Sequence, residues 1–424
     1  MDALVITGGR RLTGQVKASG AKNAALPIMA ASILAGEPLV LKGVPDLRDI
    51  RTMGRLLGKL GVSIERTRGG TLVLKSPARS KRNRAPYEIV KTMRAGICVL
   101  GPLLARRGKA EVSLPGGCAI GDRPVDLHLK GLRALGARLE VEHGYIVGSG
   151  RRLRGAEMYL GGPFGSSVTG TANILMAAVL ADGTTVIDCA ACEPEVRDLA
   201  RVLEKMGARI EGIGSPRLVV EGVERLGGCE HTVIPDRIEA GTFLVAGAAT
   251  RGDVTVDGAR WDDLFALVNT LREVGADVER QDGVIRVCAR RRLRSIDVTT
   301  LPFPGFPTDL QAQMMAALTT ADGISVVTEK IFPDRFMHVA ELGRMGARIR
   351  KQASAAVVHG TEHLSGAPVM ASDLRASAAL VIAGLTARGK TTISRLYHLD
   401  RGYEGLEKKL RRLGAKVRRV NLKG

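Results

Sequence analysis

Residues 125–137 read VDLHLKGLRALGA, and this stretch contains the feature that decides the fold. Its apolar residues recur at helical spacing and end at a glycine, the residue most often found just past the end of a helix. The ending recurs at intervals of about 70 residues, which indicates six copies of one structural unit. The copies are Leu60-Gly61-Val62, Leu135-Gly136-Ala137, Met206-Gly207-Ala208, Val274-Gly275-Ala276, Met345-Gly346-Ala347 and Leu413-Gly414-Ala415.

Each unit also contains a helical segment of a second kind. These segments are rich in Ala, Leu and Met and carry little charge, so we expect burial on nearly all sides. They are residues 24–35, 95–105, 172–181, 238–248, 310–321 and 376–387. The predicted order within a unit is strand, buried helix, strand, outer helix, strand, which is an α/β arrangement.

The N-terminal segment supplies the piece that the sixth unit lacks. Residues 5–14, VITGGRRLTG, parallel residues 219–228 and 357–366, which follow other copies. With three units per domain, we expect one domain of residues 22–234 and a discontinuous one of residues 1–21 plus 235–424. Two connections, near Lys22 and near Ile234, would form a hinge between closing lobes, with the active site in the cleft.

Composition limits the classes of function. The chain has 424 residues, 45% hydrophobic and 25% charged, as in an ordinary globular protein. No window approaches the roughly 18 apolar residues of a membrane span, and no signal segment precedes the first strand. We therefore expect a cytosolic protein with no membrane partner and with reduced thiols. Only Cys189 and Cys192 are close together, without a second pair to complete a zinc site.

The net charge of +20 is compatible with nucleic acid, a membrane surface or a small anionic substrate. Basic runs such as Arg290 to Arg292 lack interleaved aromatic residues, and no nucleic-acid-binding motif is visible. Such a run is typical of a solvated surface. We therefore expect no nucleic-acid partner, although a basic nucleic-acid-binding repeat protein remains an alternative.

Charged or hydrogen-bonding residues recur where the buried helices should begin. A helix start exposes unpaired N–H groups and attracts anions. These positions, together with arginines before the outer helices, predict a cationic site for a substrate with several negative charges. The alternative is that these residues are ordinary helix caps and members of surface ion pairs. The cations are Lys22, Arg94, Arg123, Arg335, Arg375 and Arg401.

Two further side chains are candidates for catalysis. Cys118 lies in a glycine-punctuated loop, LPGGCAIGDRP, where a neighbouring cation, Arg123, would favour its thiolate. A buried, inert thiol is the alternative, and Cys98 in an apolar helix fits that description. Asp309 starts an apolar helix, where it is either a helix cap or a general base. His128 and His398 favour structural roles, because no serine or metal-ligand pattern accompanies them.

Five motifs resemble those of the UDP-N-acetylglucosamine 1-carboxyvinyltransferases, which belong to the enolpyruvyl transferases. They are residues 19–27 (SGAKNAALP), 114–128 (LPGGCAIGDRPVDLH), 306–309 (FPTD), 373–377 (DLRAS) and 398–404 (HLDRGYE). The resemblance runs the full length. It implies an inside-out α/β barrel of two domains, each with three βαβ-type repeats and buried helices. It also implies the first committed step of peptidoglycan precursor synthesis, without a metal or cofactor.

The resemblance assigns roles to individual residues. Lys22, Arg123 and Arg401 would hold the phosphate of phosphoenolpyruvate, and Arg335 and Arg375 would neighbour its carboxylate. Cys118 would donate the proton to the methylene carbon, and Asp309 would take the proton of the sugar hydroxyl. Asn23, Asp309 and Ile331 would face the amino sugar, and the uridine diphosphate would contact Arg123, Pro124, Val125, Asp126 and Leu127. Arg94, Ser167, Val168 and Thr169 are further candidate substrate-binding residues.

One loop departs from the family pattern. A lysine ordinarily precedes Ser-Val-Gly-Ala-Thr, but residues 162–171 read GPFGSSVTGT, so Gly165 takes the place of the lysine and Thr169 that of the first glycine. Ser167, Val168 and Thr171 are retained. The nearest alternative function is the related transfer to shikimate 3-phosphate, against which the Cys118 loop argues.

Overall fold

The computed structural model describes residues 2–116, 125–150 and 152–421. The chain divides into two compact units. The central unit contains the described residues from 20 to 234, and the terminal unit contains residues 2–19 and 235–421. Each unit has a hydrophobic core of its own.

The described part of the central unit contains three four-stranded sheets. The first consists of β14 (Cys229–Thr232), β3 (Leu39–Lys42), β5 (Leu72–Lys75) and β4 (Ser63–Arg66), in bonded order. The second consists of β6 (Arg84–Ala85), β7 (Lys109–Ser113), β9 (Tyr145–Ser149) and β8 (Arg138–Glu142). The third consists of β10 (Glu157–Tyr159), β11 (Thr184–Asp188), β13 (Arg217–Glu221) and β12 (Arg209–Glu211).

The described part of the terminal unit likewise contains three four-stranded sheets. One consists of β2 (Thr13–Lys17), β15 (Asp253–Asp257), β17 (Val284–Cys288) and β16 (Asp277–Gln281). Another consists of β18 (Val298–Thr299), β19 (Ile324–Thr328), β21 (Ala355–His359) and β20 (Arg348–Gln352). The last consists of β22 (Pro368–Met370), β23 (Lys390–Ser394), β1 (Asp2–Thr7) and β24 (Lys416–Asn421).

All six sheets share one pairing pattern. An edge strand pairs in parallel with its neighbour, and the two remaining strands follow in antiparallel order. No sheet formed by the described strands closes into a barrel. In the last sheet β1 pairs with both β23 and β24, with Val5 opposite Thr392 and Arg418. β1 therefore completes the last sheet as predicted, whereas β2 pairs with β15 in another sheet of the same unit.

The apolar helices are buried along nearly their whole length, as the sequence predicted. In the central unit they are α1 (Lys22–Ala31), a 3-10 helix (Arg94–Val99) that continues as α4 (Leu100–Arg107), and α6 (Val168–Ala178). In the terminal unit they are α8 (Arg237–Ala249), α10 (Thr308–Leu318) and α12 (Leu374–Thr386), which pack on one another. Small residues permit this packing, since a Cβ on Gly241 would lie 2.6 Å from Leu310.

One buried helix differs from the prediction of a single helix over residues 95–105. The α-helical part begins only at Leu100, which places Pro102 in the first turn, where its missing N–H is not needed. The N–H of Gly101 donates to Asn173 Oδ1 at 2.6 Å instead of to a backbone carbonyl. The preceding residues form the tighter 3-10 helix.

The remaining helices are shorter or amphipathic. They are α2 (Arg48–Lys59), α3 (Tyr87–Val90), α5 (Asp126–Ala134), α7 (Pro194–Lys205), α9 (Trp261–Glu273), α11 (His338–Arg344) and α13 (Leu406–Arg412), with a 3-10 helix at Leu399–Arg401. None of the helices in the described part of the chain is long and apolar enough to cross a membrane.

The six repeated glycines end these outer helices as predicted. Each has a positive φ, from 87° at Gly414 to 107° at Gly207. The following residue donates to the carbonyl five positions earlier, as Ala137 does to Leu132 at 3.0 Å. This is the Schellman arrangement, which an L side chain at the glycine position would strain. The last outer helix, α13, begins at Leu406 directly after Gly405, which has φ 57°.

Candidate active site

The terminal unit brings three of the predicted residues into direct contact. Asp309 lies in the first turn of α10, Arg375 in the first turn of α12, and Arg335 follows β19. Arg335 Nη2 lies 2.8 Å from Asp309 Oδ1, and Arg375 Nη2 lies 2.8 Å from Asp309 Oδ2. We call these three residues the Asp309 cluster.

Solvent reaches the Asp309 cluster mainly at the carboxylate. The side chains of Arg335 and Arg375 are 7% and 4% exposed, whereas that of Asp309 is 25% exposed. A small anion could therefore approach the two guanidiniums from the side on which Asp309 lies. Two planar cations that converge on one point suit a carboxylate or a phosphate.

Each guanidinium also makes a hydrogen bond through its other terminal nitrogen, Nη1. Arg335 Nη1 donates to Thr308 Oγ1 at 2.9 Å, and the Thr308 hydroxyl donates to Glu329 Oε2 at 2.9 Å. Arg375 Nη1 donates to the hydroxyl of Tyr403 at 3.3 Å. Their positions therefore do not depend on Asp309 alone.

The Tyr403 hydroxyl lies at the centre of a buried network. Thr242 Oγ1 donates to the carbonyl of Ile238 at 2.7 Å, so the Tyr403 hydroxyl must donate to Thr242 Oγ1, which lies 2.9 Å away. The oxygen of Tyr403 then accepts from Arg375, and Gln313 Nε2 lies 3.3 Å from the same oxygen. Burial raises the pKa of Tyr403 and outweighs the opposing effects of Arg375 and Thr242, so the hydroxyl keeps its proton for this bond.

The electrostatics of Asp309 do not fit a free base. Burial, the largest single influence, would raise its pKa, but Arg375 and Arg335 outweigh burial and hold the pKa well below 3.8. The carboxylate is therefore ionised and a weak proton acceptor in this state. It is also not a helix cap, because Pro307 occupies the cap position of α10 and makes no side-chain cap bond.

Two other predicted residues lie in the terminal unit. Ile331 is half-buried after β19, and its N–H donates to Glu329 Oε1 at 2.9 Å. Arg401 is half-buried in the short 3-10 helix that packs against α12. Glu329 connects Ile331 to the Asp309 cluster through Thr308.

In the central unit, Lys22 begins α1 as predicted and is buried. Its ammonium lies 3.0 Å from Asp49 Oδ2 in α2, and the two side chains are 9% and 5% exposed. A buried charge of this kind requires a partner, and loss of one member typically costs about 3–5 kcal/mol. Asn23 follows in the same turn and is half-buried.

The start of α6 is joined to α5 through His128. Gly101 N–H donates to Asn173 Oδ1, so the Asn173 amide nitrogen must donate both to the carbonyl of Ile97 at 2.9 Å and to His128 Nδ1 at 3.0 Å. His128 Nε2 then carries the ring proton and donates to Thr169 Oγ1 at 3.3 Å. Burial, with the cation of Arg94 nearby, lowers the pKa of His128 to about 3, so this ring is neutral.

The altered loop lies beside α5. Ser167 caps α6 by accepting from Gly170 N–H at 3.1 Å, and Val168 and Thr169 begin the helix. A Cβ on Gly162 would lie 3.2 Å from Leu127 Cδ1. The loop therefore adjoins the predicted residues at the start of α5, which are Val125, Asp126 and Leu127.

Three predicted residues, Cys118, Arg123 and Pro124, lie outside the described residues. Cys98 is 1% exposed, and burial raises the pKa of its thiol to about 12, which confirms the prediction of an inert thiol. In the described ranges, no group of three or more His, Cys, Asp or Glu side chains is arranged to hold a metal ion.

Sequence reasoning missed the residues that hold the predicted ones. Asp49, Thr308, Glu329 and Tyr403 contact predicted residues, and His128 contacts Thr169. Tyr403 was visible within the residue 398–404 motif, and His128 within the residue 114–128 motif. No sequence signal marked Asp49 or Glu329, because Asp49 lies 27 residues from Lys22 and Glu329 lies 21 residues from Thr308.

Comparison with known proteins gives a consistent result. Residues 6–410 match the family model of EPSP synthase (3-phosphoshikimate 1-carboxyvinyltransferase). The UDP-N-acetylglucosamine 1-carboxyvinyltransferase of Desulfosudis oleivorans is 55% identical over 420 residues, which are 99% of this chain and 100% of that protein. The crystal structure of the enolpyruvyl transferase NikO from Streptomyces tendae superposes with a TM-score of 0.88 at 25% identity, covering 99% of both chains. EPSP synthase from Acinetobacter baumannii reaches 0.77 at 20% identity, over 99% of this chain and 100% of that one, and shows the fold alone.

Proposed function

The chain belongs to the EPSP synthase family of enolpyruvyl transferases, and from this premise we propose its acceptor. The protein transfers the enolpyruvyl group of phosphoenolpyruvate to the 3-hydroxyl of UDP-N-acetylglucosamine and releases phosphate. The observation that carries this conclusion is 55% identity, along 99% of the chain, to a relative named for that reaction.

A second acceptor has one observation in its favour, since the family model is named for the enzyme that uses shikimate 3-phosphate. The solved EPSP synthase of Acinetobacter baumannii is only 20% identical to this chain. The much higher identity to the UDP-sugar enzyme favours UDP-N-acetylglucosamine.

We assign the predicted site residues of the terminal unit to phosphoenolpyruvate and to the UDP-sugar. Arg335 and Arg375 bind the carboxylate of phosphoenolpyruvate, because their guanidiniums already converge on a carboxylate. Arg401 binds its phosphate. Asp309 and Ile331 face the amino sugar, and Asp309 takes the proton of the 3-hydroxyl.

The central unit's residues are assigned to the phosphate of phosphoenolpyruvate and to the UDP-sugar. Lys22 binds the phosphate, and its ion pair with Asp49 holds the ammonium in a buried position. Contacts to the UDP-sugar come from Asn23, Arg94, Val125, Asp126, Leu127, Ser167, Val168 and Thr169. Outside the described residues, Cys118 is assigned as the proton donor, and Arg123 and Pro124 as substrate-binding residues.

The chemistry has three linked steps. Cys118 protonates the methylene carbon of phosphoenolpyruvate, which makes the central carbon electrophilic. The 3-hydroxyl oxygen of the sugar attacks that carbon while its proton passes to Asp309. The tetrahedral intermediate then loses a proton from the new methyl group and expels phosphate, whose charge Lys22, Arg123 and Arg401 stabilise.

We also propose a repeated architecture for the two units. The six sheets share one strand order, and in each unit the buried helices pack together with sheets against them. This supports the inside-out α/β barrel with three βαβ-type repeats per domain. The proposed domain boundaries are residues 22–234 for one domain and 1–21 plus 235–424 for the other.

We place the reaction in the cytoplasm, as the first committed step of peptidoglycan precursor synthesis. The acceptor supports this place, because the product is a UDP-amino sugar that carries a carboxylate for further ligation. Depletion of the protein in its host should cause UDP-N-acetylglucosamine to accumulate and its enolpyruvyl ether to disappear. An unchanged level of the ether would contradict this role.

Phosphate release from phosphoenolpyruvate tests the function directly. We expect release that depends on UDP-N-acetylglucosamine, together with a product whose mass equals that of the sugar nucleotide plus the enolpyruvyl group. The control replaces the acceptor with shikimate 3-phosphate. Turnover with shikimate 3-phosphate alone would contradict the proposed acceptor.

A further inference from the structure

The Asp309 cluster resembles a receptor for a carboxylate that the chain itself fills. Two guanidinium nitrogens, Arg335 Nη2 and Arg375 Nη2, each lie 2.8 Å from one oxygen of Asp309. A substrate carboxylate has the same charge and the same oxygen spacing as an aspartate side chain. Asp309 therefore occupies the contacts that such a substrate group would use.

The receptor is built to persist without Asp309. Thr308 accepts from Arg335 Nη1, the terminal nitrogen that does not contact Asp309, and Tyr403 accepts from Arg375 Nη1 in the same way. The Arg375 guanidinium also lies over the Tyr403 ring, 5.6 Å from its centroid. Within the described residues, Arg335 Nε is buried and has no acceptor, so a donor remains for an additional ligand oxygen.

We propose that the carboxylate of phosphoenolpyruvate displaces Asp309 from at least one of Arg335 and Arg375, and that this exchange converts Asp309 into the proton acceptor. The inference rests on the proposed function for the identity of the substrate. Neither arginine needs to move, because the incoming carboxylate replaces the bonds that Asp309 gives up.

The exchange resolves a conflict between the position of Asp309 and its assigned role. A carboxylate held by two guanidiniums binds a proton weakly. Burial favours the protonated form of Asp309, and the two cations oppose burial. Once phosphoenolpyruvate neutralises one or both cations, burial remains and the proton affinity of Asp309 rises. The O–H bond of the sugar can then break with its proton passing to a carboxylate oxygen of Asp309.

Because of the exchange, the base strength of Asp309 depends on whether phosphoenolpyruvate is bound. Without phosphoenolpyruvate, Asp309 stays ion-paired and leaves the sugar hydroxyl protonated. With phosphoenolpyruvate bound, the stronger base coincides with the presence of the electrophile. Ion pairing to Asp309 also opposes binding, because phosphoenolpyruvate must break at least one existing ion pair.

Calorimetric titration of phosphoenolpyruvate into the full-length protein tests the exchange. The variant Asp309→Asn removes the competing charge, and we expect it to bind phosphoenolpyruvate with a dissociation constant about tenfold lower than that of the wild type. The control is Asp253→Asn in the same unit. Asp253 likewise accepts two bonds from a guanidinium, that of Arg286, and its substitution changes the net charge equally. We expect the wild-type dissociation constant for this control.

Affinity in Asp309→Asn that equals or falls below that of the control would overturn the exchange. If Asp309→Asn fails to fold by circular dichroism, a crystal structure of the wild type with phosphoenolpyruvate decides. We expect Asp309 to lie more than 4.0 Å from a guanidinium nitrogen of at least one arginine. Retention of both ion pairs, with the substrate carboxylate bound elsewhere, would overturn the inference.

These outcomes separate the exchange from the proposed acceptor. Turnover with shikimate 3-phosphate instead of the UDP-sugar would contradict the proposed function and leave the exchange intact, because both reactions use phosphoenolpyruvate. Turnover with UDP-N-acetylglucosamine, together with unchanged phosphoenolpyruvate affinity in Asp309→Asn, would contradict the exchange alone.

Discussion

Arg375 shows how a single residue depends on groups from several segments. Its guanidinium contacts Asp309, 66 residues earlier in the chain, and Tyr403, 28 residues later. Burial alone would lower its pKa, but Asp309 and its other neighbours raise it, so the group is cationic throughout the working pH range. A guanidinium that is fixed in place and permanently charged is suited to binding a planar anion.

Tyr403→Phe should loosen Arg375 without removing any charge. The loss of the hydroxyl removes the acceptor of Arg375 Nη1 and one hydrogen bond of Thr242 Oγ1, at a cost of about 1–3 kcal/mol in the free energy of unfolding. We expect the KM for phosphoenolpyruvate to rise roughly fivefold, which corresponds to about 1 kcal/mol. Steady-state kinetics and urea denaturation measure the two effects.

Tyr397→Phe is the matched control for this prediction. Tyr397 is 43% exposed and its hydroxyl has no hydrogen-bond partner among the described residues, so its loss should change neither quantity. A lower stability of Tyr403→Phe with unchanged KM would show that the hydroxyl supports the fold and not the position of Arg375.

Cys118→Ser should fold normally and turn over at least about 100-fold more slowly near neutral pH, because an alcohol is a much weaker acid than a thiol. The control is Cys192→Ser, a half-buried cysteine in the same unit with no assigned role. The epoxide fosfomycin should add to the wild-type thiol, as intact-mass analysis can detect. Fast turnover of Cys118→Ser, or an adduct elsewhere, would contradict the assignment.

At the scale of elements, the outer helices end by backbone geometry that only glycine adopts without strain. All six repeated glycines have positive φ, although the side chains around them differ. What recurs at these six positions is therefore the backbone conformation. Helix starts are less uniform, since Ser167, Asp236 and Asp373 cap α6, α8 and α12, whereas α1 and α10 have no side-chain cap.

One glycine inside α11 and one just after it allow a paired test. Gly346 follows the helix with φ 90°, so Gly346→Ala should lower the free energy of unfolding by about 1–2 kcal/mol through backbone strain. Gly343 lies inside the helix, and a Cβ there would meet nothing within 4 Å. Gly343→Ala should be neutral or stabilise by up to about 1 kcal/mol. Denaturant unfolding of both variants checks the order, and equal effects would contradict it.

At the scale of the whole molecule, each unit buries a neutral histidine. Burial lowers the pKa of His128 to about 3 in the central unit and that of His338 to about 4 in the terminal unit. Both values lie below the usual 6.5 of an unfolded chain. The unfolded chain therefore binds protons between pH 6.5 and about 4 that the folded protein does not, and stability falls as pH falls through this window.

His128→Asn should remove part of this acid dependence. The wild type loses up to about 1.4 kcal/mol per pH unit for each buried histidine, so the variant should lose less between pH 7 and pH 5. His143→Asn is the control, because His143 is exposed and has φ 50°, a conformation that asparagine tolerates. Urea denaturation at both pH values measures the difference, and equal losses in the two variants would contradict the prediction.

The repeated helices and their ends were predictable from the sequence alone. The apolar spacing within residues 125–135 and the glycine after it specify a helix and its end through local backbone energetics. The same holds for the buried helices, whose Ala-rich composition leaves no polar face. Prediction was wrong where a distant partner intervened, as at Gly101, whose N–H bonds to Asn173.

The chemistry of the candidate site was only partly predictable. The sequence by itself determined which residues carry charge at helix starts, so Lys22, Asp309, Arg335 and Arg375 were all identified. Only the tertiary structure decided that Asp309 pairs with the two arginines and that Lys22 pairs with Asp49. The physical reason is the distance along the chain over which each effect acts. Helix periodicity and glycine geometry act over a few residues, whereas an ion pair depends on the position and burial of side chains from separate segments.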